Sequence, residues 1–150
     1  MSSVEMPHKD VPPPLELVKS RIEEVLPPEA KEQIESDEVA LIDTRPAEHF
    51  EQGRIAGAVN IPAGENGVDS HAPEFAQRIS EAAGERPVLL YCNSGNRSAR
   101  ATDALLNEHG AKGVRSMVGG IKLWDDLGFP VEGIVASEDD ETSTDEDGEG

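Results

Sequence analysis

The segment PVLLYC, residues 87–92, places apolar side chains at successive positions. Side chains alternate between the two faces of a strand, so a strand that is apolar throughout must be covered on both sides. A parallel sheet held between helices meets that demand, and the rest of the chain reads accordingly. VALID, residues 39–43, AVNIP, residues 58–62, and GVRSM, residues 113–117, are further strand-like segments. Helical segments separate them. PPEAKEQIES, residues 27–36, opens with Pro at a helix start and continues with good helix formers. TRPAEHFEQG, residues 44–53, reads as a short helix ended by Gly53, and APEFAQRISEAAG, residues 72–84, as a helix with Phe75 and Ile79 on one face. SARATDALLNEHG, residues 98–110, is a helix ended by Gly110, and GGIKLWDDLG, residues 119–128, is the last. Strands alternating with helices at short intervals imply right-handed crossovers, hence an α/β fold with a mainly parallel sheet and helices on both faces.

The ends of the chain are less regular. Residues 1–14 contain PPP and many polar groups, which favours extended, mobile backbone. From Leu15 to Leu26 the positions Leu15, Val18, Ile22 and Val25 keep helical spacing, yet residues 22–25 suit a short first strand equally well. The expected organisation is a flexible or partly helical extension over 1–24, one domain over 25–134 and a disordered acidic tail over 135–150. A chain of 150 residues has room for one hydrophobic core. With aromatics at only 3%, that core is built mainly from Val, Ile, Leu and Ala.

Net charge is -18, and eight of the acids fall in the last fourteen residues, so their removal still leaves -10 on residues 1–136. An acidic body argues against nucleic acid and against an anionic membrane surface, because both partners require clustered Lys and Arg. No stretch approaches the roughly 20 apolar residues needed to cross a bilayer, and MSSVEMPHKDVPPP has neither the basic start nor the apolar run of a signal peptide. The expected location is the cytoplasm. One cysteine forms no internal disulfide, in keeping with a reducing compartment.

That cysteine, Cys92, ends the apolar run and opens the loop CNSGNRS. In open α/β sheets, ligands bind beyond the carboxyl ends of the strands, where loops lead into helices. Asn93, Ser94, Gly95, Asn96 and Ser98 tolerate the backbone angles that turn successive N–H groups inward, which makes an anion-sized nest. A helix starting near Arg97 or Ser98 adds its unpaired N–H groups and the positive end of its dipole. Arg97 brings a permanent cation, and Arg100 strengthens the field from one turn further on. These features favour the thiolate, which is the nucleophilic form. Against this stands the plainer reading of Cys92 as a small core residue ending a strand.

Three segments in order, LIDTRPAEHFEQGRIAGAVNIP, YCNSGNRSARA and GGIKLWDDLGFPV, are similar to the signature of the single-domain rhodanese family, and the resemblance runs from about residue 25 to 131. It implies a five-stranded parallel sheet flanked by helices and sulfurtransferase activity through a cysteine persulfide. In that reading Cys92 takes the outer sulfur of thiosulfate or of a persulfide and passes it to cyanide or a thiol, on a protein or otherwise. Backbone N–H groups from Asn93 to Ser98 hold the persulfide, and Arg97 steers an anionic donor. No metal or organic cofactor is implied, since sulfur itself is the group transferred.

Two alternatives remain. One is a non-enzymatic binding or regulatory module of the same family. The other is a phosphatase or arsenate reductase, whose similar loop places five residues between Cys and Arg. Here four intervene, Asn93 to Asn96, and the smaller cradle favours sulfur. The chain also departs from the double-domain thiosulfate enzymes, which carry basic residues just after the cysteine, where Asn93 stands here.

Asp43 and Arg45 leave a strand at its carboxyl end, so Arg45 is a candidate anion ligand bordering the pocket; a buried ion pair fixing the loop is the favoured alternative. His49 reads as surface or packing rather than a base. Gly119 and Gly120 are expected to open the last helix, and the family resemblance implies that this turn also lies beside the active loop. Trp124 is expected in the core, anchoring that helix. His8, His71 and His109 have no ligand-like spacing, so no metal is expected.

Overall fold

The computed structural model describes residues 13–64 and 67–135. Its strands are β1 (Glu23–Val25), β2 (Ala40–Asp43), β3 (Gly53–Arg54), β4 (Val59–Asn60), β5 (Val88–Tyr91), β6 (Val114–Met117) and β7 (Glu132–Gly133). The helices are α1 (Leu15–Ser20), α2 (Pro27–Glu35), α3 (Ala47–Gln52), α4 (Pro73–Ala83), α5 (Asn96–Asn107) and α6 (Gly120–Asp126). Five strands form one sheet in the order β1-β6-β5-β2-β4, parallel at every pairing.

The two faces of the sheet explain the apolar runs. Ile42 and Leu90 point into a layer with Phe75 and Ile79 of α4 and Ala101 and Leu105 of α5. Leu41, Leu89 and Tyr91 point the other way, onto Ala30 of α2 and Ile121 and Trp124 of α6. β5 lies between β6 and β2 with both faces covered, which is why no polar residue interrupts Val88–Tyr91. Parallel pairing also brings the carboxyl ends of β2, β5 and β6 to one edge of the sheet.

The expected boundary between residues 24 and 25 is corrected by the structure. It falls inside β1, whose Glu23 and Val25 pair with Arg115 and Met117. Residues 15–26 hold a short helix and then a short strand, so each of the two readings applies to half of the segment. Val18 of α1 is 1% exposed, and Arg21 clasps Asp103 of α5 through two hydrogen bonds of 2.7 Å. Residues 15–24 are therefore part of the domain. At the other end, Val135 packs against the second core layer, while residues 1–12 and 136–150, where extended and acidic tails were expected, lie outside the described residues.

A small antiparallel ribbon was not expected. Gly53 pairs with Gly133 and Arg54 with Glu132, tying the end of α3 to the last described residues. A side chain at Gly53 would collide with the Ile134 carbonyl, and one at Gly133 with the Gln52 carbonyl. Among the described residues, no helix is long and apolar enough to cross a membrane.

Candidate active site

Cys92 follows Tyr91 directly, so β5 delivers its thiol to the carboxyl edge of the sheet. The chain then folds back over it. Gly95, at φ 96°, takes the left-handed conformation that glycine adopts without penalty, and serves as the N-cap of α5. The helix therefore starts at Asn96, one to two residues earlier than expected. As a result, the backbone N–H groups of Gly95 and Ser98 donate to Cys92 Sγ at 3.1 and 3.3 Å. Cys92 is 3% exposed, and its sulfur is covered by the Gly95 and Ser98 amides of the polar loop. Two amide donors converging on one sulfur form the environment that an anionic sulfur accepts.

The loop is fixed from behind. Ser98, itself buried, donates its hydroxyl to the Gly95 carbonyl at 3.2 Å and lies 2.9 Å from Ser116 Oγ on β6. A serine has one hydroxyl proton, so with that proton on Gly95 the Ser98 oxygen accepts from Ser116. Thr102 Oγ1 closes the chain onto the Ser98 carbonyl at 2.8 Å. On the β2 side, the buried Thr44 donates both N–H and Oγ1 to the Tyr91 carbonyl, at 2.9 and 3.1 Å, pinning the residue before the nucleophile. Neither Thr44 nor Ser116 carries a sequence signal; both are short hydroxyl residues in otherwise ordinary strand ends.

The entry of α6 forms another wall, and Gly119 and Gly120 hold both of their expected roles. Gly119 caps α6 at φ 77°. Ile121 N–H donates to the Cys92 carbonyl at 2.9 Å and Lys122 N–H to the Asn93 carbonyl at 3.1 Å. A side chain at Gly120 would run into those same two carbonyls, and one at Gly95 would come within 2.8 Å of Gly119 N. Trp124 is buried, donates its indole N–H to the Pro130 carbonyl at 2.8 Å and meets Phe129 edge-on.

Asn93 is half-buried, whereas Ser94, Asn96 and Arg97 face solvent. Arg97 forms no ion pair among the described residues. Arg100 is turned to the N-terminal segment, where it donates to the Pro13 carbonyl at 2.7 Å. Arg45 is the correction among the candidate anion ligands. It is 2% exposed, and its guanidinium lies on the Asp43 carboxylate at 2.8–3.2 Å while also donating to the Gly53 carbonyl at 2.6 Å. Burial opposes the Arg45 charge, but hydrogen bonds and attraction from Asp43 outweigh it and keep the guanidinium ionised. Its Nε and Nη2 donors are spent on the loop joining β2 to the ribbon. Burial, followed by repulsion from Asp43, pushes the Tyr91 phenol far up, leaving a neutral hydroxyl that accepts from Ile55 N–H at 3.2 Å.

His8 lies outside the described residues, and the three described histidines lie apart from the sulfur loop. His49 is exposed on α3, His71 pairs with Glu108 at 2.6 Å, and His109 contacts the Ser70 carbonyl at 3.0 Å. Among the described residues, no three His, Cys, Asp or Glu side chains are grouped to hold a metal ion.

Known proteins are similar to this chain in sequence and in fold. The chain is 37% identical over 92 residues to "Thiosulfate sulfurtransferase 16, chloroplastic" of Arabidopsis thaliana, a match covering 59% of this chain and 76% of that protein. It is 31% identical over 106 residues to "Adenylyltransferase and sulfurtransferase MOCS3-1" of Drosophila pseudoobscura pseudoobscura, covering 69% of this chain but only 23% of the insect protein. The thiosulfate sulfurtransferase of Pseudomonas aeruginosa superposes with a TM-score of 0.66 at 22% identity, over 79% of this chain and 22% of that one, a likeness of fold. A family model for the rhodanese-like domain matches residues 26–127. With its sulfur loop, four of the five sheet strands and the double-glycine turn inside that span, the chain belongs to the rhodanese-like domain family.

Proposed function

We propose that the protein is a sulfurtransferase that carries sulfane sulfur as a persulfide on Cys92. The observation that carries this reading is the pair of N–H donors, from Gly95 and Ser98, on Cys92 Sγ. With thiosulfate, the Cys92 thiolate attacks the outer sulfur, a new S–S bond forms, and sulfite leaves with the electron pair of the old one. The terminal sulfur of the persulfide is then taken by cyanide, giving thiocyanate, or by an acceptor thiol, and the Cys92 thiolate returns. Ping-pong kinetics follow from this order. Asn93 to Ser98 supply the amides that hold the persulfide, and the solvent-facing Arg97 steers an anionic donor. With a single cysteine in the chain, sulfur leaves to a second molecule.

The test is incubation with thiosulfate and cyanide. Thiocyanate is expected, together with a mass gain of about 32 Da on Cys92 before cyanide is added. Absence of both at high protein concentration overturns the reading. A module that only binds a partner would instead capture it equally well as wild type or as Cys92→Ser, without sulfur transfer. Phosphatase and arsenate reductase assays are expected to be blank, because four residues between Cys92 and Arg97 make a tight cradle for a tetrahedral anion.

A further inference from the structure

Most cations of this acidic chain are engaged. Lys19, Arg21, Lys31, Arg45, Arg54, Arg78 and Arg86 each pair with a carboxylate. Arg100 and Arg115 hydrogen-bond to Pro13 and Gln33. Among the described residues this leaves Arg97, Lys112 and Lys122 as the Lys and Arg side chains with neither an ion pair nor a hydrogen bond. Lys112 precedes β6, at the end of the sheet away from Cys92. The other two flank the sulfur loop from opposite sides. Arg97 stands in the first turn of α5, and the Lys122 N–H is bonded to the Asn93 carbonyl at 3.1 Å.

Helical side chains lean back toward the N-terminus of their helix. For Lys122, that direction leads over the Gly119–Gly120 turn toward Cys92 and Asn93. The side chain is exposed and long enough to swing its ammonium over the loop. We propose that Lys122, opposite Arg97, is a specificity-determining residue that selects a doubly charged sulfane-sulfur anion as donor. The inference rests on the sulfurtransferase reading and names the donor class for it.

The chemistry asks for such a rim. A thiolate attacking thiosulfate brings one negative charge onto a dianion, in a chain that carries -18 overall. As the S–S bond breaks, charge gathers on the departing sulfite. Two cations on opposite sides of the loop offset the repulsion on approach and the charge on departure. Asn93, the residue after the nucleophile, is uncharged, and Lys122 supplies positive charge at the loop from a different element.

The experiment uses the full chain. Lys122→Ala is expected to raise KM for thiosulfate about fivefold with kcat within about twofold, and to flatten the dependence of kcat/KM on ionic strength. Lys122→Arg restores KM and Lys122→Glu raises it further. Lys112→Ala, the same change of net charge at the far end of the sheet, leaves KM at the wild-type value. Unchanged KM in Lys122→Ala, or an equal rise in Lys112→Ala, overturns the inference.

A binding arm separates this inference from the reading beneath it. Thiosulfate is titrated calorimetrically into Cys92→Ser and into Cys92→Ser/Lys122→Ala, with about fivefold weaker binding expected in the double variant. If an alkyl hydropersulfide, which carries at most one negative charge, loads wild-type Cys92 but Cys92→Ser binds no thiosulfate, sulfur transfer stands and the Lys122 inference falls. If neither donor loads Cys92 while thiosulfate binding still depends on Lys122, the cationic rim stands and the sulfurtransferase reading falls.

Discussion

The N–H of Ile121 donates to the carbonyl of Cys92 at 2.9 Å, so the first turn of α6 is bonded directly to the residue that bears the thiol. Gly120 makes this approach feasible, because its φ is 62° and a Cβ there would strike the carbonyls of both Cys92 and Asn93.

Gly120→Ala is therefore expected to cost about 3 kcal/mol in stability, combining the left-handed backbone penalty with the displacement of two backbone carbonyls. Sulfur transfer falls with it, since the loop over Cys92 has to move. Gly128 is the internal comparison: its φ is 81°, but a Cβ there meets nothing within 4 Å. Gly128→Ala should cost about 1 kcal/mol and leave turnover intact. Urea midpoints and thiocyanate formation on the two variants check both statements; equal losses would contradict the crowding argument.

The buried pair Ser98 and Ser116 links the helix that supplies one sulfur-binding amide to the strand beside it, at 2.9 Å between hydroxyls. Removing either hydroxyl leaves the other without its partner, so Ser98→Ala and Ser116→Ala should each destabilise by about 1–2 kcal/mol. The double variant should destabilise by less than the sum, with a coupling of about 1 kcal/mol. Additivity in a double-mutant cycle would show that the two hydroxyls are independent.

Arg45 offers a direct contrast between anchoring and anion binding. Its guanidinium spans both Asp43 oxygens and the Gly53 carbonyl from a site 2% exposed. Lysine keeps the charge but has no planar fork to make these bonds together, so Arg45→Lys should lose about 2–3 kcal/mol. Because those donors face Asp43 and Gly53, KM for thiosulfate should stay at the wild-type value in the folded fraction. A selective rise in KM would restore Arg45 to the anion site.

What could be read from the residues follows from range. PVLLYC and VALID disclosed buried parallel strands because burial on both faces leaves an uninterrupted apolar run, and the loop after Cys92 disclosed itself through Gly95, its Asn and Ser neighbours and Arg97. Gly119 and Gly120 were legible through GGIKLWDDLGFPV, whose resemblance to the rhodanese signature sets that turn beside the active loop. The Thr44 clamp on Tyr91, the Ser98–Ser116 pair and the Gly53–Gly133 ribbon join residues 18 to 80 positions apart through one or two bonds each, and no periodicity records such contacts. For Arg45, residue type alone left two partners open, an anion outside or Asp43 inside, and the fold supplied the second. Glu23–Val25 is three residues long, too short for a pattern of period 2 to be told from the end of a helix.

The clasp between Arg21 and Asp103 gives α1 a pH-dependent attachment. Hydrogen bonds from Arg21 hold the Asp103 carboxyl below its ordinary value, against the opposing effect of burial, and Asn107 adds a further bond at 2.7 Å. A carboxyl depressed in the folded state binds its proton more readily when unfolded. Its contribution is thus complete above the unfolded value near pH 4 and is lost as pH falls through the lower folded value. His71 has the opposite sign. The hydrogen bond to Glu108 raises it, so its contribution is complete below about pH 6.5 and is lost as pH rises through the folded value. Urea unfolding across both ranges should show Asp103→Asn flattening the acid limb and Glu108→Gln flattening the limb above about pH 6.5. Hydrogen exchange at pH 7 should also show residues 15–20 opening faster in Asp103→Asn than in wild type, while α4 is unchanged. An acid limb unaltered by Asp103→Asn, with α1 still protected, would mean that the packing of Val18, and not the ion pair, holds this helix to the domain.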